Sequence, residues 1–186
     1  MDSKVVGSID ISLEKKLCAF GLLGSMVGGF IPLIGVIISF GGIIAYVIGI
    51  LNFSKKLNNG DILKNFLYSI IVVIIGAILF AVLAGSAIFP ILLGGGNSFG
   101  AKSALGVMFF LGLFFLWASA VLSGFLSKKY LDIFYEYTNI DLFKYAGLVV
   151  LVGGILFGIL SFIGWIMAIV AFFKMPDNLD TNKKEI

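Results

Sequence analysis

Asp132 and Glu136 stand four residues apart, and Asp141 follows soon after. On a helix a four-residue separation puts two carboxylates on one face. Paired acids serve acid–base chemistry or hold a hard cation. The rest of the equipment for either is missing. There is no histidine, the commonest metal ligand and general base. Cys18 is the chain's one cysteine, so it forms no intramolecular disulfide and reads as a small apolar filler. No phosphate-binding loop, paired-cysteine motif, HExxH helix or serine-nucleophile elbow occurs. The carboxylates therefore read as a solvated helix face, and the chain is expected to be no enzyme, with no cofactor and no metal.

Ser119 and Ser123 share a helix face close to Trp117 and could line a narrow polar path. Helical serines, however, commonly bond to their own backbone. The long apolar segments carry no charge at mid-depth, where proton relays, ion-coupled carriers and voltage sensors place one. The clearest chemical surface is basic and aromatic: Lys128, Lys129, Tyr130, Tyr137 and Tyr145. With Phe66, Tyr68 and Phe143, the three tyrosines are expected to form a belt at a membrane interface. Lysines beside it would favour anionic headgroups by about 1 kcal/mol each. The net charge of +3 is too small to suggest nucleic acid as a partner.

What must position these groups is a set of membrane helices. The chain has 186 residues, 60% hydrophobic and 12% charged, against about a quarter charged in soluble domains. Residues 17–54, 65–101, 103–127 and 145–173 carry no charge at all. Each exceeds the roughly 20 residues that cross a hydrocarbon core. The runs are continuous rather than alternating, which favours helices over a barrel. Before Leu17 the sequence is polar and has no signal-peptide core. The predicted fold is all-α, a polytopic helical membrane bundle, with polar tails at 1–10 and 175–186.

Pro32 divides the first run into spans over about 11–30 and 34–54, since proline breaks a helix. A third span covers about 64–85, with Asp61 as its cap, and a loop follows around Pro90 and the Gly95–Gly96–Asn97 run. A fourth covers about 103–127. Residues 130–139 read as a short amphipathic helix lying at the cytoplasmic interface. Thr138 and Asp141 read as a capping box that starts the next span near 140. The last run is either one steep helix or two short ones, 140–160 and 161–174. Six spans with both termini cytoplasmic put twelve of thirteen lysines inside, with Lys102 alone outside. The positive-inside bias favours that arrangement over five spans.

Two segments are nearly the same. Lys64–Leu83 and Asp141–Leu160 align without gaps at 77 residues' separation and agree at nine of twenty positions, among them Phe66/Phe143, Tyr68/Tyr145 and Gly76/Gly153. A Ser-Lys-Lys precedes each copy. The unit is span, Ser-Lys-Lys, linker, span, repeated in parallel about an axis along the membrane normal. Small residues let membrane helices approach closely. Gly41, Ala45 and Gly49 are expected to form one packing stripe, Ala77, Ala81 and Gly85 another, and Gly154 with Gly158 a third. Gly76 and Gly153 are expected at matching sites. The stripes serve packing within one bundle or a seam between two copies.

The stretches TNIDLFKYAGLVVLVGGILFGIL and GWIMAIVAFFKM, with FIPLIG before a glycine-rich span, resemble the archaeal and bacterial domain of unknown function nine hundred ninety-six. The resemblance covers about residues 13–175. It implies an integral membrane protein and supplies no activity and no functional residues. The expected role is a non-enzymatic bundle that organises membrane lipid or a membrane-protein partner, which could be a second copy, through its cytoplasmic interface. The alternative is a small transporter or channel for a neutral or weakly charged solute.

Overall fold

The computed structural model describes residues 8–92, 99–156 and 158–180. Six helices run α1 Ser12–Gly28, α2 Ile34–Lys56, α3 Gly60–Leu92, α4 Phe99–Thr138, α5 Asp141–Ile155 and α6 Ile159–Lys174. Two short strands, β1 Ser8–Asp10 and β2 Asn178–Asp180, flank them. The fold is an all-α bundle of three antiparallel hairpins, α1–α2, α3–α4 and α5–α6. α4 packs along α5, α1 reaches α6, and α2 meets α3 more loosely than any other successive pair.

The strands pair antiparallel, Ser8 with Asp180 and Asp10 with Asn178, so the two ends of the described chain meet. They lie at the end of the bundle that carries Lys15, Lys16, Lys55, Lys56, Lys128, Lys129, Lys144 and Lys174, called here the lysine end. The pairing is reinforced from the helices. The Ile11 N–H donates to the Asp177 carbonyl at 2.7 Å. Lys15 reaches the Met175 carbonyl at 2.7 Å and the Asp177 carboxylate at 2.5 Å.

The core gathers at this end because the aromatics do. Phe53 of α2, Phe134 of α4, Phe143 of α5 and Phe172 of α6 are all fully buried. Their rings lie 5.0–5.5 Å apart in three pairs, Phe143–Phe172, Phe134–Phe172 and Phe134–Phe143, with Phe53–Phe134 at 5.1 Å. Such pairs add about 0.5–1.5 kcal/mol each beyond burial. Away from this cluster the helices turn large apolar side chains outward, with Leu33 91% and Ile37 74% exposed. That much apolar surface is anomalous against water and ordinary against lipid. α2, α3 and α4 are long and apolar enough to cross a membrane. α1, α5 and α6, of 17, 15 and 16 residues, are shorter than the roughly 20 a crossing needs.

Several boundaries differ from expectation. α4 does not stop near residue 127. It runs unbroken to Thr138, so no separate interfacial helix forms over 130–139. The reason is the apolar set of that stretch: Tyr130, Leu131 and Phe134 enter the core and extend the helix through it. The last run is two helices, and α3 and α4 extend past the expected spans to Leu92 and back to Phe99. Pro90, expected in a loop, therefore lies within α3, and the Gly95–Gly96–Asn97 run lies outside the described residues. The helix starts are capped differently too. Asn59, not Asp61, caps α3, its side-chain oxygen accepting from the Asp61 N–H at 3.0 Å. Thr138 donates to the Phe134 carbonyl at 2.7 Å and accepts from the Ile140 N–H at 3.3 Å, closing α4 rather than forming a box with Asp141. Pro32 does break the first run. Leu33 beyond it takes φ 63°, and the Ile34 N–H bonds back to the Pro32 carbonyl at 2.8 Å, a tight turn of a strained kind.

Candidate functional site

α3 and α4 bring charge together at the lysine end. Asp61, Lys64 and Asn65 from the first turns of α3 face Lys129, Asp132, Ile133 and Glu136 of α4 across a cavity of about 410 Å³. The four-residue spacing of Asp132 and Glu136 does put both on this one face. Their neighbours are lysines: Lys128 bonds the Asp132 carboxylate one turn on. The Lys129 ammonium stands 4.7 Å from the Phe125 ring centroid, a cation–π contact that leaves its N–H donors available. Among the described residues no three His, Cys, Asp or Glu side chains converge as a metal site. A mixed-charge hollow at the foot of two apolar helices suits a group bearing separated charges or an anion, such as a lipid headgroup.

The tyrosines do not act as one belt. Tyr130 is fully buried, and its hydroxyl lies 3.1 Å from that of Tyr46 on α2. Phe66 and Phe143 are buried as well. These three leave the interface for the core because each sits on the inward stripe of its helix. Tyr145 and Tyr68 are half exposed and remain on the surface. Tyr137 is partly buried, with Asn59 Nδ2 3.4 Å from its hydroxyl.

The small-residue stripes are redistributed. Gly41 faces open space, Ala45 is half-buried, and Gly49 is pressed on Cys18, where a Cβ would stand 2.6 Å from Sγ. The face that packs keeps Gly49 but takes Gly42 in place of Gly41. A Cβ on Gly21 would lie 2.5 Å from the Tyr46 nitrogen, one on Gly42 2.6 Å from the Gly21 carbonyl, and one on Gly28 2.5 Å from the Gly35 carbonyl. The signal for these contacts is a seven-residue spacing, Gly21–Gly28 on α1 and Gly35–Gly42–Gly49 on α2. That period keeps one seam toward a partner helix. Gly85 faces open space. Gly154 packs on the Ala120 carbonyl of α4, while Gly158, at φ 89°, forms the turn into α6, so the two make no common seam.

Gly76 and Gly153 each meet a serine on the next helix, Ser119 of α4 and Ser161 of α6. Ser119 is thereby held against α3, its hydroxyl donating to the Leu116 carbonyl at 2.7 Å. Ser123 points instead toward a different cavity, beside Ser127 and Tyr130. The two serines therefore line no common path. Trp117 donates from Nε1 to the Ile155 carbonyl at 3.0 Å, tying α4 to the end of α5.

A family model described as a protein of unknown function, DUF996, matches residues 38–173. The chain is also 27% identical over 175 residues to the uncharacterized protein MJ1644 of Methanocaldococcus jannaschii, covering 91% of this chain and 97% of that one. No solved structure matches.

Proposed function

The chain belongs to the DUF996 family, and from that premise we propose that it is a multi-pass integral membrane protein whose lysine end lies in the cytoplasm and gathers anionic lipid headgroups, without catalysing a reaction. The observation that carries the proposal is the charged cavity at the foot of α3 and α4. Lys64 and Lys129 are both exposed there. Above them the same two helices are apolar over lengths that exceed a bilayer core. A headgroup phosphate can sit between the ammonium groups while its chains lie along that apolar surface. The strand pair supports an even number of crossings, because residues 8–10 and 178–180 sit side by side.

A parallel duplication underlies the arrangement in this proposal. Paired positions share surroundings: Phe66 and Phe143 are buried, Tyr68 and Tyr145 exposed, Gly76 and Gly153 wedged on a serine. The copies diverge at the linker, where the second Ser-Lys-Lys helix continues nine residues further, to Thr138, and carries Asp132 and Glu136.

The test is lipid retention. Purified protein carrying Lys64→Gln and Lys129→Gln should retain less phosphatidylglycerol than the parent in mass spectrometry of the solubilised protein, with phosphatidylcholine unchanged. The difference should shrink with salt as the Debye length falls from about 10 Å at 0.1 M to about 3 Å at 1 M. Lys128→Gln should matter less, since Lys128 is already paired. Unchanged retention in the double variant would overturn the proposal. Loss of solute flux in proteoliposomes on Ser119→Ala with Ser123→Ala would move the function into the bundle.

A further inference from the structure

A second cavity, of about 300 Å³, lies inside the bundle between α1, α2, α3, α4 and α6. Its floor is formed by Tyr46, Tyr130 and Ser127, all buried. Tyr130 bonds to both of the others through its hydroxyl. Ser69 and Ser25 line the wall. Their hydroxyls donate to the Phe66 and Leu22 carbonyls of their own helices, at 2.7 and 2.8 Å, which leaves oxygen lone pairs facing the cavity as acceptors. Trp165 lines the α6 side. Among the described residues no lysine, aspartate or glutamate borders the space.

The mouth is lateral. Ile43 of α2 and Val73 and Ile74 of α3 border the cavity, yet are 47%, 44% and 51% exposed. They stand on either side of the loosest seam between successive helices. What they are exposed to, on the membrane reading above, is the hydrocarbon of the bilayer. A solute arriving by this route is therefore already dissolved in lipid. The volume is at the small end of ligand pockets, about 300–1,000 Å³, and too small for a two-chain phospholipid.

We propose that this cavity binds a neutral, single-chain lipid with a hydroxyl head, which enters sideways between α2 and α3 and hydrogen-bonds to the Tyr46–Tyr130–Ser127 floor. A hydroxyl matches the lining because it both donates and accepts. A carboxylate or ammonium does not, because no countercharge awaits it and a buried unpaired charge is costly. The assignment rests on the membrane reading and is separate from the headgroup site at the lysine end, which recognises charge.

Trp165 is a built-in reporter. In Trp117→Phe protein in nanodiscs of unlabelled phosphatidylcholine, a monoacylglycerol brominated along its chain should quench Trp165 fluorescence saturably. Val73→Phe, an exposed position at the mouth, should abolish the saturable component. Tyr46→Phe should raise the half-saturating mole fraction about three- to tenfold, the worth of one hydrogen bond. A brominated fatty acid kept ionised should not compete. Quenching that rises linearly with mole fraction and is indifferent to Val73→Phe would overturn the proposal. Failure of the membrane reading is told apart by a nanodisc matrix of brominated phosphatidylcholine. Absence of any quenching of Trp117 in Trp165→Phe protein there would overturn that reading instead.

Discussion

The ammonium of Lys56 lies 2.9 Å from the carboxylate of Glu14, joining the end of α2 to the start of α1. Glu14 is sealed from solvent, with 3% of its side chain accessible, whereas the Lys56 side chain is 39% accessible. The acid depends on the base far more than the reverse. Lys56→Met should destabilise the protein by about 1–3 kcal/mol, below the usual 3–5 for a fully buried pair because one partner reaches solvent. Adding Glu14→Gln should recover most of the loss. Lys55→Met, next door and exposed, should change little. Thermal unfolding in detergent measures all three.

The glycines should rank by what a methyl group would meet. At Gly153 it meets the backbone nitrogen of Ser161, which cannot move aside. Gly153→Ala should cost about 1–3 kcal/mol, as overpacking does. At Gly76 it meets the Ser119 side chain, so Gly76→Ala should be rescued by Ser119→Gly. Gly41→Ala, with nothing nearby, should stay within about 0.5 kcal/mol of the parent. Equal effects at all three sites would contradict the packing described.

Strand pairing gives a crosslinking expectation. In a Cys18→Ser background, Ser8→Cys with Asp180→Cys should form a disulfide on mild oxidation, because these residues are partners in register. Each cysteine alone should resist an impermeant thiol reagent in intact cells. Strong labelling of both would reverse the proposed orientation, and labelling of one alone would break the strand pair.

Asp10 gives a pH dependence. Its carboxylate accepts the Ser12 N–H at 2.9 Å, and this bond chiefly holds its pKa below the ordinary 3.8. A depressed carboxylate contributes stability that is complete above the ordinary value and is lost as pH falls through the lower, folded one. The Ser12 amide proton shift should titrate with a midpoint below 3.8. In Asp10→Ala that transition should vanish.

The all-α class, with helices long and apolar enough to cross a membrane, was legible because it depends on composition and on charge-free run length, both of which are local. The break at Pro32 was legible for the same reason. The continuation of α4 was not. Lys128, Lys129, Asp132 and Glu136 make residues 128–138 look interfacial, and nothing local says that Tyr130 and Phe134 between them face four other helices rather than lipid. The caps failed by two residues at Asn59 and by role at Thr138, since several short polar side chains compete at each helix end. At the candidate site, the shared face of Asp132 and Glu136 was readable from their spacing. The arrival of Asp61 and Lys64 opposite them was not, because it depends on how α3 pairs with α4. The packing stripe on α2 was right at Gly49 and missed by one residue at Gly41: the four-residue spacing there competed with a seven-residue spacing at Gly42, and only the partner helix decides between them.

The three hairpins are of unequal reach. α3 and α4, with 33 and 40 residues, are about 50 and 60 Å long, while α5 and α6, with 15 and 16, are about 22 and 24 Å. At the far end of the short pair Leu156 is exposed, and the Phe162 ring meets Phe30 from the α1–α2 turn at 6.4 Å. Those tips are oily where a full crossing would be wet. On the membrane reading proposed above, a bilayer around this molecule would meet a tall flank and a low one, and would pinch beside the low flank at a cost of fractions of a kcal/mol per Å. Pinched lipid is relieved when two low flanks share it. On that reading the unevenness would act as a weak, shape-borne attraction between molecules and would draw them toward thin regions of the membrane, with no contact between side chains required.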